Sequence, residues 1–394
     1  MPLDATDTAL TPPTPSRNRR PYALSDMIGA LRRTLVAKPA FRRLAERVPG
    51  LRMVANSSAN DLFALTSGFM HSQVLLALAE LDAFNRLSKT PASTQALAAE
   101  WSMPTERAAM LLRSGQALRL LFQDKDGEWA LDADGIVIAQ TPGILAMIHH
   151  HRIVYEDLRD PVALLRAQHT DTKTARFWSY VEPDHDTWGT QVGETDANAY
   201  SELMRLSQAM VIEQVLSAYP VGQKHARLMD VGGGNGAFVT AATAQSDALH
   251  VDIFDLPAVA ENAKTRLSSA IPDGRLTVHG GSFFETPVPD VADCYSLIRV
   301  LYDHNDAAAL AILKNIRNAM KPGDTLLIGE PMAGDRRGER LVQAYFGFYL
   351  LAMQSGKCRT VAELSALARK AGFARIRKHT TALPVIAGAL SAQV

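Results

Sequence analysis

Apolar and polar positions follow two different rhythms in the two parts of the chain. Between residues 60 and 140 the apolar residues recur at helical spacing, in FALTSGFMHSQVLLALAELDAF and then in TPASTQALAAEWSMPTERAAMLLRSGQALRLLF, which predicts a helix-rich region. The segment FQDKDGEWALD that follows places a Lys-Asp-Gly turn between two short strand candidates. Helices closed by such a hairpin have the outline of a winged helix. Residues 150–220 continue mostly helical, with an aromatic-rich loop holding Phe177, Trp178, Tyr180 and Trp188. From Arg227 the texture changes. RLMDV, LHVDIFD, RLTVHG, DCYSLIRVL, DTLLIGE, ARIRKHT and PVIAGAL read as strands, with helical segments near 237–246, 257–269, 307–320, 338–354 and 360–371 between them. That alternation predicts an α/β fold built on a mostly parallel, doubly wound sheet. The expected organisation is a disordered leader over 1–22, a helical, winged-helix-like domain over 23–150, a helical connector over 151–220 and a Rossmann-like domain over 221–394.

Composition narrows the classes. The 394 residues carry 41 Lys and Arg against 41 Asp and Glu, so bulk electrostatic binding to nucleic acid is not expected. With 47% hydrophobic residues the chain is not generally disordered. Its two cysteines, Cys294 and Cys358, form no CxxC or Cys/His cluster, which argues against a disulfide framework or structural zinc and suits the cytoplasm. The leader MPLDATDTALTPPTPSRNRRP has acids and prolines where a secretory signal needs an apolar core, and no run of 18 uninterrupted apolar residues predicts a membrane span. The helical segment from Pro104 to Leu112 carries Arg107, with Arg113 just beyond it, a thin basic face for reading DNA.

The charge balance is uneven, however. Residues 1–60 hold ten Lys and Arg against four acids, so a basic front is joined to an acidic remainder. Within it, SDMIGALRRTLVAKPAFRRLAERV pairs apolar residues with Arg32, Arg33, Arg42, Arg43 and Arg47. Peripheral contact with an anionic membrane and packing on a partner subunit are both compatible with that pattern.

The chemistry-bearing element is Asp230-Val231-Gly232-Gly233-Gly234-Asn235-Gly236 at the end of the first strand, running into the helix AFVTAATA. Glycines at a strand-to-helix turn admit a ligand close to the backbone, and the helix start offers free N–H groups. The spacing Gly232-x-Gly234-x-x-Ala237 also fits a dinucleotide fingerprint, and a tight turn without ligand is the plain alternative. Asp255 ends the second strand, where a carboxylate takes ribose hydroxyls. Asp230, directly before the glycines, suits the ammonium of an amino-acid tail and would repel a pyrophosphate. S-adenosylmethionine, which has the ribose and the tail but no phosphate, is the better fit.

With these features the sequence resembles the small-molecule O-methyltransferase family that includes the caffeic-acid type of plant enzymes. The resemblance rests on LMDVGGGNG (228–236), FDLPAV (254–259), HGGSFFE (279–285), LIRVLYDHND (297–306), LLIGEP (326–331) and SGKCRTVAELSALARKAGF (355–373). YSELMRLSQAM (200–210) and the arginine of LIRVL extend it toward the carotenoid branch of purple phototrophic bacteria, which methylates the tertiary 1-hydroxy group of a linear carotenoid. A related branch methylates a bacteriochlorophyll precursor. The resemblance implies S-adenosylmethionine as cofactor, a homodimer formed through the N-terminal domain, a hydrophobic acceptor and no metal.

It also implies roles for single residues. Gly232, Gly234 and Asp230 belong to the cofactor loop and Asp255 to the ribose; Ser282 and Phe283 flank the adenine, and Arg299 contacts the cofactor. The family's catalytic histidine aligns with Tyr302, and its two flanking acids with Glu330 and Cys358. His304 aligns with an aromatic and is read as structural. The expected chemistry is therefore a Tyr302 that hydrogen-bonds and orients the acceptor hydroxyl while Glu330 supports it, since a neutral phenol is a weak base unless Glu330 draws its proton. Tyr345, Phe346, Phe348, Tyr349, Met353 and Met204 are candidates for the acceptor pocket, although such residues at helical spacing are more often plain core. The run His149-His150-His151 reads as a polar helix stretch, since neighbouring helical residues point in different directions. Loss of the usual base leaves two alternatives open: a C- or O-methyltransferase of a tetrapyrrole or small aromatic, and a DNA-binding or regulatory protein on an inactive scaffold.

Overall fold

The computed structural model describes residues 34, 37, 38, 41, 44, 48–168, 170–178, 194–271 and 274–394. The expected leader, the arginines at 32, 33, 42, 43 and 47, and the loop residues Tyr180 and Trp188 lie outside the described residues, as does the side chain of Met204. The chain divides into two compact units, Met1–Gln73 and Val74–Val394.

In the first unit the described chain from residue 49 onward is the beginning of helix α1 (Pro49–Glu80), on which Met53, Leu62, Phe63, Leu65, Phe69 and Met70 are exposed. Asn56–Glu80 is long and apolar enough, by length and composition, to cross a membrane. Scanning for uninterrupted apolar runs misses it because Ser, Asn and His punctuate the stretch.

The second unit begins with helices α2 (Ala83–Leu87), α3 (Thr94–Glu100) and α4 (Thr105–Ala117), followed by the hairpin of β1 (Leu121–Gln123) and β2 (Trp129–Leu131). The turn forms where expected: Asp124 Oδ1 accepts the N–H groups of Asp126 and Glu128, and Gly127 takes φ 84°. Leu78, Phe84, Leu97, Leu112, Leu121 and Trp129 close one hydrophobic cluster beneath it. Next come α5 (Ala133–Gln140), α6 (Pro142–Asp157), α7 (Pro161–Leu165), α8 (Lys173–Phe177), α9 (Glu194–Ala218) and α10 (Val221–Lys224). The boundary expected at 150 falls inside α6, which packs along α9.

The remaining elements alternate: β3 (Arg227–Val231), α11 (Ala237–Thr243), β4 (His250–Asp255), α12 (Pro257–Leu267), β5 (Leu276–Gly280), β6 (Cys294–Ile298), α13 (Asp306–Ala319), β7 (Thr325–Glu330), α14 (Arg337–Ala352), α15 (Val361–Lys370), β8 (Ile376–His379) and β9 (Gly388–Gln393). They form one seven-stranded sheet in the order β5-β4-β3-β6-β7-β9-β8, parallel except for the two pairings of β9. Residues on one face (Met229, Val231, Leu297, Leu326, Ile328) pack against Ile312, Leu313 and Ile316 of α13 and Leu364 of α15. Those on the other (Leu228, Ile253, Ile298, Leu327) pack against Val211 and Val215 of α9 and Phe238 and Val239 of α11. A parallel sheet covered on both faces explains the nearly unbroken apolar strands. β9 begins at Gly388 rather than near residue 384, because the chain first turns at Leu383–Ala387 and Pro384 has no N–H for a ladder. The order reverses between β3 and β6, so their carboxyl ends open a crevice, the usual ligand position in such sheets.

Candidate active site

The glycine loop leaves β3 at this crevice. Gly232 (φ 72°) donates its N–H to Phe254 O at 2.8 Å, and a Cβ on it would lie 2.9 Å from Val300 Cγ2. Gly234 (φ 53°) faces open space, with nothing within 4 Å of a built Cβ. Both positions therefore favour glycine on backbone grounds, the first also on steric ones. Asp255, at the end of β4, reaches the loop and accepts N–H groups from Gly234 and Leu256, each at 2.7 Å. Asp230 lies buried beneath Gly233, accepts Ser296 Oγ at 2.6 Å, and is raised by burial to about 7. Ser282 Oγ accepts the N–H of Phe284 at 3.3 Å. The Phe283 ring lies near Gly232 and packs edge-on against Phe284 and His304. Asp230, Gly232, Gly234, Asp255, Ser282 and Phe283 are thus gathered on the β3–β4–β5 side of the crevice.

The β6 side carries a different set. Arg299 follows β6 in the left-handed region (φ 57°), a costly conformation for a residue with a Cβ, and its N–H is held by Gly329 O at 2.8 Å. Its guanidinium, expected on the cofactor, donates to Ser207 Oγ at 2.8 Å and to the Tyr302 hydroxyl at 3.1 Å. Tyr302 lies in a single 3₁₀ turn (Leu301–Asp303) and is almost wholly buried; that burial raises its phenol far above the ordinary value. Glu330, at the end of β7, does not meet the phenol. Its Oε2 accepts the main-chain N–H of Tyr302 at 3.0 Å, Oε1 has no hydrogen-bond partner, and burial raises the carboxyl to about 8. The support expected from Glu330 thus reaches the main chain of Tyr302, not its phenol, and fixes the turn. Cys358 lies close enough for Glu330 to influence it, and burial lifts its thiol to about 11.

Three features of this turn are not evident from sequence. Asp303 is buried beside Tyr302 and Arg299, its Oδ1 has no partner, and burial raises its carboxyl to about 7. Arg359 is fully buried and clamps the turn: Nη1 donates to Leu301 O and Nη2 to His304 O, both at 2.7 Å, while Nε pairs with Asp306 Oδ1 at 2.8 Å. Asn305 caps α13 through the N–H groups of Ala307 and Ala308. His304 packs its ring on Phe283 and Phe284, and burial depresses it to about 4.

Beyond Tyr302 lies a wall from α6, α8 and α14. Tyr349 accepts Trp178 Nε1–H at 2.7 Å, and its hydroxyl is 2.7 Å from His150 Nε2. The phenol therefore donates to His150, which burial keeps neutral by lowering it to about 4. His151 Nε2 is 2.6 Å from the Tyr345 hydroxyl, and Phe346 meets the Tyr302 ring edge-on at 5.9 Å. Two of the three histidines thus have tyrosine partners on α14, whereas His149 is exposed. Met353 is buried with this cluster, and Phe348 faces outward. No three-membered His/Cys/Asp/Glu cluster able to hold a metal occurs among the described residues. A cavity of about 810 Å³ borders the site, lined by His304, Phe346, Leu350 and Cys358 among others.

Comparison with known proteins decides what this arrangement belongs to. Residues 155–374 match the O-methyltransferase domain family. Demethylspheroidene O-methyltransferase of Cereibacter sphaeroides is 40% identical over 91% of this chain and 93% of its own length. The chain belongs to the O-methyltransferase family. A second relative of this O-methyltransferase, the demethylspheroidene O-methyltransferase of Rhodobacter capsulatus, is 35% identical over 90% of the chain and 86% of its own length. The structure of human N-acetylserotonin methyltransferase in complex with SAM superposes with a TM-score of 0.68 at 24% identity, covering 85% of this chain and 97% of that one. That of mitomycin 7-O-methyltransferase gives 0.67 at 22% identity, covering 88% and 100%. Both structures share the fold of this O-methyltransferase.

Proposed function

We propose that this O-methyltransferase methylates the tertiary 1-hydroxy group of a linear carotenoid with S-adenosylmethionine as donor. The observation that carries the acceptor is the identity with the two demethylspheroidene enzymes along most of the chain. The crevice fits the cofactor on its own terms: open space above Gly234, a carboxylate at the end of β4 and an aromatic ring beside the loop. Gly232 and Gly234 would admit the amino-acid tail, with Asp230 below them. Asp255 would exchange its N–H partners for ribose hydroxyls, and Ser282 and Phe283 would flank the adenine. When bound, S-adenosylmethionine supplies a methyl group made electrophilic by its sulfonium.

The acceptor hydroxyl approaches from the Tyr302 side. Holding it at attack distance supplies much of the acceleration in a displacement with so good a leaving group. Tyr302 orients it as a neutral phenol, and Glu330 holds the main chain of that tyrosine in place. Arg299 polarises the phenol through its hydrogen bond to the Tyr302 hydroxyl. The wall of Phe346, Tyr345 and Tyr349 gives a polyene the apolar surface it needs.

The exposed apolar face of α1 supports a homodimer, which sedimentation would read. The basic front supports peripheral contact with a photosynthetic membrane from the cytoplasmic side; deleting residues 1–55 should abolish co-sedimentation with anionic vesicles. Balanced net charge and the thin basic face of α4 support the absence of a nucleic-acid partner. Incubation with methyl-labelled S-adenosylmethionine and a lipid extract of a phototrophic bacterium tests the acceptor. Label on a hydroxylated carotenoid is expected; label on a chlorophyll precursor, or on nothing, refutes it.

A further inference from the structure

A hydroxyl that gains a methyl group must lose a proton, and the turn after β6 lacks the histidine that would take it. The groups next to the reacting end of Tyr302 limit the choices. Tyr302 itself is a poor terminal acceptor, because burial opposes the ionised phenol. Glu330 Oε2 accepts a main-chain N–H of the turn. Its Oε1 is unpartnered like Asp303 Oδ1, but burial lifts that carboxyl to about 8, so it is already protonated near neutrality, and the charges that reach the phenol come from Arg299 and Asp303. His304 faces Phe283 and Phe284, and His150 is committed to Tyr349. Asp303 remains. It is 6% exposed, lies beside both the phenol and the Arg299 guanidinium, and Oδ1 is buried without a partner. An unpaired buried carboxyl oxygen costs stability, so its retention beside a reacting group calls for a reason.

We infer that Asp303 is the final acceptor of the proton released by the methylated hydroxyl, with the Tyr302 phenol relaying it. The Tyr302 oxygen accepts one hydrogen bond from Arg299 Nη2 and has a second lone pair for the incoming O–H, and the neighbouring Asp303 carboxyl is the acid beside the phenol's own hydrogen. As the new oxygen–methyl bond forms and the sulfonium–methyl bond breaks, the O–H bond of the acceptor breaks and its electron pair stays on the ether oxygen. The proton passes to the Tyr302 oxygen, and the phenolic proton passes to the Asp303 carboxylate. Arg299 favours the ionised carboxylate beforehand and accounts for a costly left-handed arginine at this point of the chain. A carboxyl poised near neutrality matches the operating range of a proton acceptor. Asp303 works through Tyr302 and is therefore a positioning residue in this scheme.

The inference rests on the methyl-transfer reading, and the two can fail separately. The full-length enzyme is given labelled S-adenosylmethionine and a hydroxylated carotenoid in detergent micelles, and kcat is followed from pH 5.5 to 9. The groups facing Asp303 are Arg299, Tyr302 and Glu330. The unaltered enzyme should lose activity as the pH falls through neutrality and Asp303 is protonated. Asp303→Asn should lower kcat by about 10²–10⁴-fold and abolish that acid limb. S-adenosylmethionine affinity should stay within a few-fold, which also certifies folding. Asp303→Glu should restore part of the rate together with the limb, Glu330→Gln should leave the limb in place, and Tyr302→Phe should reproduce the loss. An Asp303→Asn enzyme with unchanged kcat and pH profile overturns the inference. So does a Tyr302→Phe enzyme of full activity, which removes the relay. No transfer to any carotenoid by the unaltered enzyme would instead overturn the proposed acceptor.

Discussion

Arg359→Met probes how the reacting turn is held. The methionine keeps most of the aliphatic stem and removes every donor. Leu301 O and His304 O, which bracket Tyr302 and Asp303, would lose buried guanidinium partners at 2.7 Å. Hydrogen bonds to a charged group are worth about 1.5–3 kcal/mol each, which gives about 3–6 kcal/mol for the pair. The third partner, Asp306, has a half-exposed carboxylate that rehydrates, so its loss adds little. Removing the guanidinium also relieves the cost of burying a charge, and single-partner deletions of buried ion pairs cluster at about 3–5 kcal/mol. The expected loss is therefore about 3 kcal/mol, the lower part of both ranges. Urea unfolding measures it as a shift of midpoint at constant slope. Because the loosened turn carries Tyr302, kcat should fall about 10–100-fold, the effect of misplacing a reacting group by about an ångström. Cofactor affinity, read by calorimetry, should hold within a few-fold, since Gly232, Gly234 and Asp255 belong to other loops. A destabilisation below about 1 kcal/mol with normal turnover would refute the clamp. Equal losses in cofactor affinity and kcat would show that the effect is not local to the turn.

Three further expectations follow from the same geometry. Gly236→Ala places a Cβ 2.3 Å from Leu267 Cδ1 at φ 78°; left-handed strain and overpacking together should cost about 2–5 kcal/mol in denaturant unfolding, and a variant within 1 kcal/mol of the parent would contradict that packing. Tyr349→Phe leaves Trp178 Nε1–H and His150 Nε2 without their shared partner, at about 1–3 kcal/mol for each buried group; KM for the acceptor should rise more than Kd for the cofactor, and the reverse order would remove the wall from the acceptor site. Asp230, Asp303 and Glu330 are raised to about 7, about 7 and about 8, above their unfolded values, so the folded state holds more protons there and stability falls as pH rises through about 7 to 8.5, a window above the ordinary imidazole value in which His150 and His304 are mostly neutral in both states. Thermal unfolding should show that slope, and Glu330→Gln should flatten it; a Tm that rises over the window would reverse the sign.

Much of this molecule is legible before folding because parallel strands and their helices declare themselves in short segments. The glycine loop, Asp255 and Phe283 each follow a strand end, and strand ends can be located from the pattern alone. What lay hidden depends on distance along the chain or on burial. His150 and Tyr349 are 199 residues apart, and nothing in HHH or in the aromatic run marks their pairing. Asp303 sits in plain view in YDHND, yet an acid amid polar residues gives no sign of being buried; the 3₁₀ turn and the Arg359 clamp put it inside. Glu330 was placed correctly at the end of β7, but not the atom it meets, because main-chain N–H groups leave no trace in a sequence.

The two sides of the crevice come from different kinds of structure. The loops that would hold the cofactor are extensions of β3, β4 and β5, fixed by a ladder that tolerates little change. The wall beside Tyr302, which would face the acceptor, comes from side chains on α6, α8 and α14, joined to one another by His–Tyr and Trp–Tyr bonds. Within such a division, substitutions on three helices can redraw the shape offered to a new acceptor while the methyl-donor half is inherited intact. A scaffold of this kind can take up new acceptors by change on its helical side, and the short turn between Arg299 and Asn305, where the two halves meet, is the place at which any such change must still present its hydroxyl.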